Sequence, residues 1–127
     1  MDKNITISVI IPLYNKAESV AATLESVLAQ TVHPLEVIVV DDGSTDGSAE
    51  RAEAFAERGV RVVRQANGGV SRARNRGAAE ACGSHLAFLD GDDLWSPNFI
   101  ESMVAAEEKN PECGLYAAAY RVVGADG

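Results

Sequence analysis

Two short apolar runs that lead straight into aspartate and glycine constrain the fold of this chain more than any other feature. Leu86–Leu89 continues into Asp90-Gly91-Asp92-Asp93, and Glu36–Val40 continues into Asp41-Asp42-Gly43. Short apolar runs bounded by turn signals are typical of strands buried on both faces. Because open α/β sheets bind ligands beyond the carboxyl ends of their strands, we expect both acidic loops at a ligand crevice.

The rest of the chain alternates predicted strands with predicted helices, and short connections join them. The predicted strands are Ile5–Ile11 (ended by Pro12), Glu36–Val40, Val60–Arg64, His85–Leu89 and Leu115–Val123. The predicted helices are Lys16–Gln30, Ser48–Arg58, Val70–Cys82 and a fourth from Ser96 (N-cap) and Pro97 to Lys109. This order predicts an α/β fold, with a mainly parallel sheet and helices on both faces, in a single domain over residues 1–127.

Composition excludes several classes of protein. The net charge of −8 argues against nucleic acid as a partner, and no apolar run approaches the roughly 20 residues of a membrane span. The N-terminus lacks the pattern of a signal peptide, so we expect a cytoplasmic protein in which Cys82 and Cys113 are free, buried thiols. Six of the eleven basic residues lie between Arg58 and Arg76, where no acidic residue occurs. That segment is either a small-anion site or a solvated surface.

The acidic loop at Asp90–Asp93 has two interpretations from its residues alone. One is a solvated turn that caps the next helix, and the other is a divalent-metal site that faces a phosphate group. Without a metal, each carboxylate about 4 Å from a phosphate costs on the order of 4 kcal/mol at an effective dielectric of 20. Mg²⁺ or Mn²⁺ reverses that sign, because these ions bind carboxylate and phosphate oxygens together.

Other phosphate and metal motifs fit less well. The chain has neither the Gly-x-x-x-x-Gly-Lys-Ser/Thr loop nor Gly-x-Gly-x-x-Gly after the first strand. Asp42, Ser44, Asp46, Gly47 and Glu53 have the spacing of an EF-hand calcium loop. An EF-hand loop is entered from a helix, however, whereas the run before this one is a predicted strand. Calcium binding is therefore the weaker hypothesis for this loop.

Four motifs in order resemble those of a family 2 glycosyltransferase, and together they extend over about residues 5 to 123. They are Val9-Ile10-Ile11-Pro12-Leu13-Tyr14-Asn15, Val39-Val40-Asp41-Asp42-Gly43-Ser44-Thr45-Asp46-Gly47, Gly69-Val70-Ser71-Arg72-Ala73-Arg74-Asn75-Arg76-Gly77 and Phe88-Leu89-Asp90-Gly91-Asp92-Asp93. The resemblance implies a Rossmann-like GT-A fold and an enzyme of polysaccharide or cell-envelope biosynthesis. Such an enzyme transfers sugar from a nucleotide diphosphate donor, here expected to be a UDP-sugar, to a hydroxyl acceptor with inversion.

The same resemblance implies roles for individual residues. Pro12 and Tyr14 are expected to line the base pocket, and Asp42 to hydrogen-bond the nucleobase. Asp90-Gly91-Asp92 resembles the Asp-x-Asp signature of the family. Asp92 is then the metal ligand for Mn²⁺ or Mg²⁺, while Asp90 contacts the ribose or orders the loop and Asp93 caps the following turn.

Arg74 matches the Ala-Arg-Asn segment of the family, and two roles stay open for it. Either it contacts the donor, or it pairs structurally with Asp41 or Asp42.

In this family the general base lies beyond the Asp-x-Asp loop, in a half that also binds the saccharide or lipid-linked acceptor. No residue after Asp93 fits that role, so we expect the catalytic base beyond Gly127 and the acceptor-binding half outside this chain. Any membrane association is expected only through such missing regions. A nucleotidyltransferase-like enzyme and a non-catalytic module that binds nucleotide sugars are the alternatives.

The first testable prediction concerns the 127-residue chain by itself. We expect it to bind a nucleotide sugar in calorimetry but not to transfer the sugar, because no group deprotonates the acceptor hydroxyl. Release of UDP that depends on an added acceptor, catalysed by this chain alone, would contradict the prediction.

Overall fold

A four-stranded parallel sheet forms the centre of the computed structural model, which describes residues 5–109. Its strands are β1 (Ile7–Leu13), β2 (Glu36–Asp41), β3 (Val60–Arg64) and β4 (His85–Phe88), in the spatial order β3-β2-β1-β4. All three strand pairings are parallel. The predicted α/β class with a parallel sheet is therefore confirmed.

Four helices cover the two faces of this sheet within the described residues. They are α1 (Val20–Leu28), α2 (Ser48–Glu53), α3 (Val70–Glu80) and α4 (Phe99–Lys109). Helices α1, α2 and α4 contribute to the core on one face, and α3 packs on the other. None of them is long and apolar enough to cross a membrane.

Successive side chains of β1 contribute alternately to the hydrophobic cores on the two faces of the sheet. Val9 and Ile11 are fully buried in the cluster that contains Leu24 of α1, whereas Ile10 is buried in the cluster that contains Ala73 of α3. A strand whose consecutive residues are apolar and buried must lie between two layers, because successive side chains point to opposite faces. This burial makes β1 the central support of the site described below.

The chain reverses direction across the sheet at β1. Strands β2 and β3 follow β1 along the chain and lie on one side of it in the sheet. Helix α3 then connects β3 to β4, which lies on the other side of β1. The loops that follow β1 and β4 leave neighbouring strands at the carboxyl edge of the sheet, beside the point where the strand order reverses, which is where open α/β sheets have their ligand crevice. The loop after β2 borders the same crevice, so the two acidic loops converge as the sequence predicts.

The first strand extends two residues further than predicted and includes Pro12 instead of ending before it. The N–H of Leu89 donates to the carbonyl of Ile10, so alternate residues of β1, and with them Pro12, direct their backbone groups toward β4. The paired part of β4 ends at Phe88, opposite Ile10. The N–H that proline lacks is thus missing where no strand neighbour needs it.

All four predicted helices are longer than the observed ones, the third by only two residues. The first begins at Val20 because residues 17–19 form a turn, and the second ends at Glu53 and is followed by a short 3₁₀ turn, Ala56–Arg58. The fourth begins at Phe99, after a turn closed by its N–H to the carbonyl of Ser96. The third helix was predicted to within two residues of its end.

Two predictions about burial are wrong. Strand β4 is not buried on both faces: Ala87 is buried, but Leu86 and Phe88 are only half-buried, because β4 is an edge strand of the described sheet. Cys82 is exposed, since it follows the end of α3 at the surface. The predicted strand at Leu115–Val123 and Cys113 lie outside the described residues.

Close packing of α3 on the sheet generates the second prediction. A Cβ on Gly77 would lie 2.3 Å from Cγ2 of Ile10 and 3.3 Å from Cγ2 of Val40. We expect Gly77→Ala to lower the free energy of unfolding by about 1–3 kcal/mol, because overpacking outweighs the helix propensity gained.

Urea denaturation measures this difference. Asn75→Ala on the exposed side of α3 is the control, since it raises helix propensity without the clash. A Gly77→Ala variant as stable as that control would contradict the proposed packing.

Candidate functional site

A cavity of about 500 Å³ opens at the carboxyl ends of the strands. All six residues to which the sequence assigned a donor-binding or metal-binding role line it: Pro12, Tyr14, Asp42, Arg74, Asp90 and Asp92. These residues come from the ends of β1 and β2, from α3 and from the loop after β4. The sheet topology therefore brings together at one cavity six residues that are spread over about eighty positions of the chain.

One wall of the cavity is apolar. Tyr14, which follows β1, is 48% exposed, and Val70, the first residue of α3, is 51% exposed. Both line the cavity, so Tyr14 is not part of the core. An exposed aromatic ring and an exposed branched side chain at one cavity offer apolar surface to a flat ligand group.

The backbone that carries Tyr14 is fixed by the loop after β2. Asn15 has a positive φ of 51°, and its N–H donates to Oγ of Ser44 over 2.9 Å. The N–H of Lys16 donates to Oγ of Ser48 over 2.7 Å. These bonds hold the loop after β1 against the loop after β2 and the start of α2, and they fix the backbone of this part of the cavity wall.

The same contacts exclude the calcium-loop hypothesis. The loop is entered from strand β2, not from a helix. Asp46 accepts from the N–H groups of Ala17 and Ser48, while Asp42 faces the turn before α3. Since Asp42 and Asp46 serve different partners, they do not surround a common centre as EF-hand ligands must.

Asp42 is buried and holds the turn that begins α3. Its Oδ1 accepts from the N–H of Gly68 over 2.8 Å and from Nε2 of Gln65 over 2.9 Å, and its Oδ2 accepts from the N–H of Gly69 over 2.9 Å. Nδ2 of Asn67 adds a longer contact to Oδ2, at 3.3 Å.

The pKa of the Asp42 carboxyl reflects these contacts. Burial pushes it upward, but the hydrogen bonds from Gln65 and the two glycine N–H groups and the charge of Arg72 hold it below its usual range. The carboxylate lines the cavity with its oxygens engaged by this turn, and its role toward a nucleobase stays a prediction.

Three carboxylates crowd the loop after β4. Oxygens of Asp90, Asp92 and Asp93 all lie within 4.8 Å of one another, which is close enough to share one metal ion. The pKa of Asp93 is raised by burial and by the charges of Asp92 and Asp90, while Lys16 opposes this effect. No side-chain hydrogen bond of Asp93 caps the following turn within the described part of the chain, in contrast to the predicted role.

The backbone of this loop is held by α1. The hydroxyl of Thr23 bonds to the carbonyl oxygens of Gly91 (3.0 Å) and Asp93 (2.8 Å), and that of Ser19 donates to the carbonyl of Gly91 over 2.9 Å. A Cβ on Gly91 would lie 2.8 Å from Cδ1 of Leu13, so a larger residue would displace the loop. The aspartates are therefore presented from a packed backbone.

Two cations face these carboxylates. Nη2 of Arg74 lies 3.5 Å from Oδ1 of Asp90, and Nζ of Lys16 lies 3.2 Å from Oδ2 of Asp92. The predicted structural pairing of Arg74 with Asp41 or Asp42 is wrong, because Arg74 pairs with Asp90 in the loop after β4. Sequence reasoning assigned no role at the site to Lys16, which it placed at the start of the first predicted helix.

The basic segment is mostly a surface feature. Four of its six arginines form ion pairs with glutamates: Arg58 with Glu25, Arg61 with Glu80, Arg64 with Glu53 and Glu50, and Arg76 with Glu80. Among the six arginines of this segment, Arg74 is the one that lines the cavity. The interpretation of this segment as a small-anion site therefore applies only to its part at the start of α3.

Comparison with known proteins gives a consistent result. The model of the family described as glycosyl transferase family 2 matches residues 8–126. The chain is 40% identical over 116 residues to the uncharacterized glycosyltransferase EpsJ of Bacillus subtilis, covering 87% of this chain and 34% of that protein. It is 44% identical over 106 residues to the uncharacterized glycosyltransferase YibD of Escherichia coli, covering 82% and 31%. The chain thus spans about a third of the length of these relatives.

Solved structures agree with the sequence matches. A fragment of S. aureus TarS in complex with UDP-GlcNAc superimposes with a TM-score of 0.76 at 30% identity, covering 83% of this chain and 32% of that one. The mannosyltransferase PcManGT of Pyrobaculum calidifontis, in complex with GDP-Man and Mn²⁺, gives 0.74 at 29% identity, covering 80% and 32%.

The contacts of Asp42 generate the third prediction. We expect Asp42→Asn to lower the free energy of unfolding by about 1–3 kcal/mol at neutral pH, because an amide cannot accept from all of these donors. The lowered pKa means that the carboxylate contributes stability above its unfolded pKa of about 3.9, and that this contribution is lost as pH falls through the lower folded value.

The difference between wild type and Asp42→Asn should therefore shrink below about pH 4. Denaturation at several pH values measures it, with Glu57→Gln at an exposed position as the control. A stability loss that is the same at pH 7 and at pH 3 would count against the hydrogen-bond explanation.

Proposed function

Because the chain belongs to glycosyl transferase family 2 and has the GT-A fold, we propose that it binds the nucleotide diphosphate sugar of a metal-dependent inverting glycosyltransferase. We further propose a UDP-sugar as the donor, which the likeness to TarS with UDP-GlcNAc supports. The observation that carries the proposal is the single cavity lined by all six predicted residues. Family membership favours sugar transfer over the nucleotidyltransferase alternative.

The cavity suits the three parts of such a donor. Tyr14 and Val70 offer apolar surface to a base, next to Pro12. Arg74 and Lys16 bring positive charge to the region where the diphosphate must lie, between the base wall and the Asp90–Asp92 loop. In an acidic protein, these two cations are what makes the cavity acceptable to an anion.

The carboxylates after β4 fit a hard divalent cation. Their carboxylate oxygens converge within 4.8 Å, and the pKa of Asp93 is raised by burial and by the charges of Asp92 and Asp90. We propose that Asp92 holds Mn²⁺ or Mg²⁺ and that Asp90 and Asp93 complete or support the site. When bound, the ion would supply Lewis-acid stabilisation of charge on the leaving diphosphate. The complex of PcManGT with GDP-Man and Mn²⁺ supports the proposal of a divalent ion, and the assignment to Asp92 rests on the carboxylate cluster.

The remaining roles are also proposals. Asp90 and Arg74 face each other and would fix the donor side of the site, so neither is assigned as the general base. That base and the groups that bind a saccharide or lipid-linked acceptor stay predicted beyond Gly127. We propose a cytoplasmic location for the donor site, where nucleotide sugars would reach it directly.

The fourth prediction tests the metal-assisted donor site. UDP is titrated into the 127-residue chain with and without Mn²⁺, and into Asp92→Asn under both conditions. We expect Mn²⁺ to strengthen UDP binding at least about tenfold in the wild type, since even outer partners of a metal contribute about 10–100-fold to its affinity. Asp92→Asn should lose that enhancement.

The matched control is Glu108→Gln, which removes one negative charge from the exposed side of α4. It should bind UDP and Mn²⁺ as the wild type does. Equal UDP affinity with and without Mn²⁺, unchanged in Asp92→Asn, would refute the metal site but not the cavity.

A further inference from the structure

We propose that Lys16 is a resident counter-ion of Asp92 that moves to the donor's diphosphate when metal and donor bind. Its ammonium group would thereby couple the two binding events: it weakens the metal site while the cavity is empty and strengthens it once a diphosphate is present. The inference rests on the proposed function, and it assigns to Lys16 a contact with the phosphate portion of the ligand.

The starting observation is the geometry of Lys16. Its N–H donates to Oγ of Ser48 over 2.7 Å, so its backbone position is fixed by the first residue of α2. From there the side chain reaches along the cavity, and Nζ lies 3.2 Å from Oδ2 of Asp92. Lys16 therefore touches the carboxylate that the metal needs, from a different loop.

Electrostatics makes this contact unfavourable once a cation binds. The ammonium lies 3.2 Å from Oδ2 of Asp92 and offsets part of the repulsion among Asp90, Asp92 and Asp93. A divalent ion on Asp92 takes over that neutralisation and repels the ammonium, because both are positive. The two cations therefore compete for one carboxylate.

A bound diphosphate would offer the Lys16 ammonium a second negatively charged partner, so that Lys16 and the metal ion no longer compete for Asp92. Its oxygens must face the metal ligands to share the ion, and Lys16 stands beside Asp92 with 44% of its side chain exposed. A lysine head group is a point charge on a flexible stem, so it can leave a carboxylate for a nearby phosphate oxygen without movement of the backbone. Arg74 is engaged with Asp90 from α3 and occupies a separate position.

The test is a set of titrations on the 127-residue chain, with wild type, Lys16→Met and Lys109→Met. Lys109 is exposed at the end of α4 and controls for the loss of one positive charge. Each protein is titrated with Mn²⁺ alone, with UDP in the presence of Mn²⁺, and with uridine. Manganese binding is followed by the electron paramagnetic resonance signal of the free ion.

We expect Lys16→Met to bind Mn²⁺ alone about two- to fivefold more tightly, the range that corresponds to a lost exposed ion pair. It should bind UDP with Mn²⁺ about tenfold more weakly, as expected for a lost charge-assisted hydrogen bond. Uridine, which lacks phosphates, should bind equally to all three proteins. Opposite shifts for Mn²⁺ and UDP are the result that a merely structural role would not give.

The outcomes separate this inference from the proposed function. If the wild type binds neither Mn²⁺ nor UDP, the proposed function fails and the coupling fails with it. If the wild type binds both and Lys16→Met shifts both in the same direction, or neither, only the role of Lys16 is overturned. Lys16→Gln repeats the measurement should the methionine variant fail to fold, because it also removes the charge while keeping a polar end.

Discussion

The burial of β1 between β2 and β4 is the constraint on which the site depends. Val9, Ile10 and Ile11 are completely inaccessible to solvent, so this strand cannot shift relative to its neighbours without opening both cores. Its end fixes Pro12 and Tyr14, and the strands on either side of it fix the two acidic loops. A rigid sheet therefore sets the distances among groups that lie far apart in the chain.

The second constraint is the charge of the groups that the sheet positions at the cavity. The β4 loop gathers three carboxylates, and the protein places one cation from the β1 loop and one from α3 against them. Burial and mutual repulsion raise the pKa of Asp93, so the cluster is not electrostatically relaxed. This arrangement places two positive charges at the cavity of an acidic protein, as the proposed nucleotide diphosphate ligand requires.

Much of this could be predicted from the sequence because the signals are local. Periodicity and turn residues predicted all four described strands and α3 closely, and motif order predicted the family. The errors occurred where tertiary contacts override local preference. Pro12 stays in the strand because its missing N–H faces the crevice, and Lys16, at the predicted start of α1, instead donates its N–H to Ser48 of α2. Periodicity reports neither contact.

By itself, the sequence determined the α/β class, the family and the six residues that meet at the cavity. The class follows from short-range strand and loop signals, whereas the family and the six residues follow from the resemblance of the motifs. These residues meet because loops after parallel strands share one edge of the sheet. Only the tertiary structure decided their partners: Arg74 with Asp90, Asp42 with the glycine turn, and Lys16 with Asp92. Those pairs join residues from 16 to 76 positions apart, and such distances are set by packing, which no local pattern records.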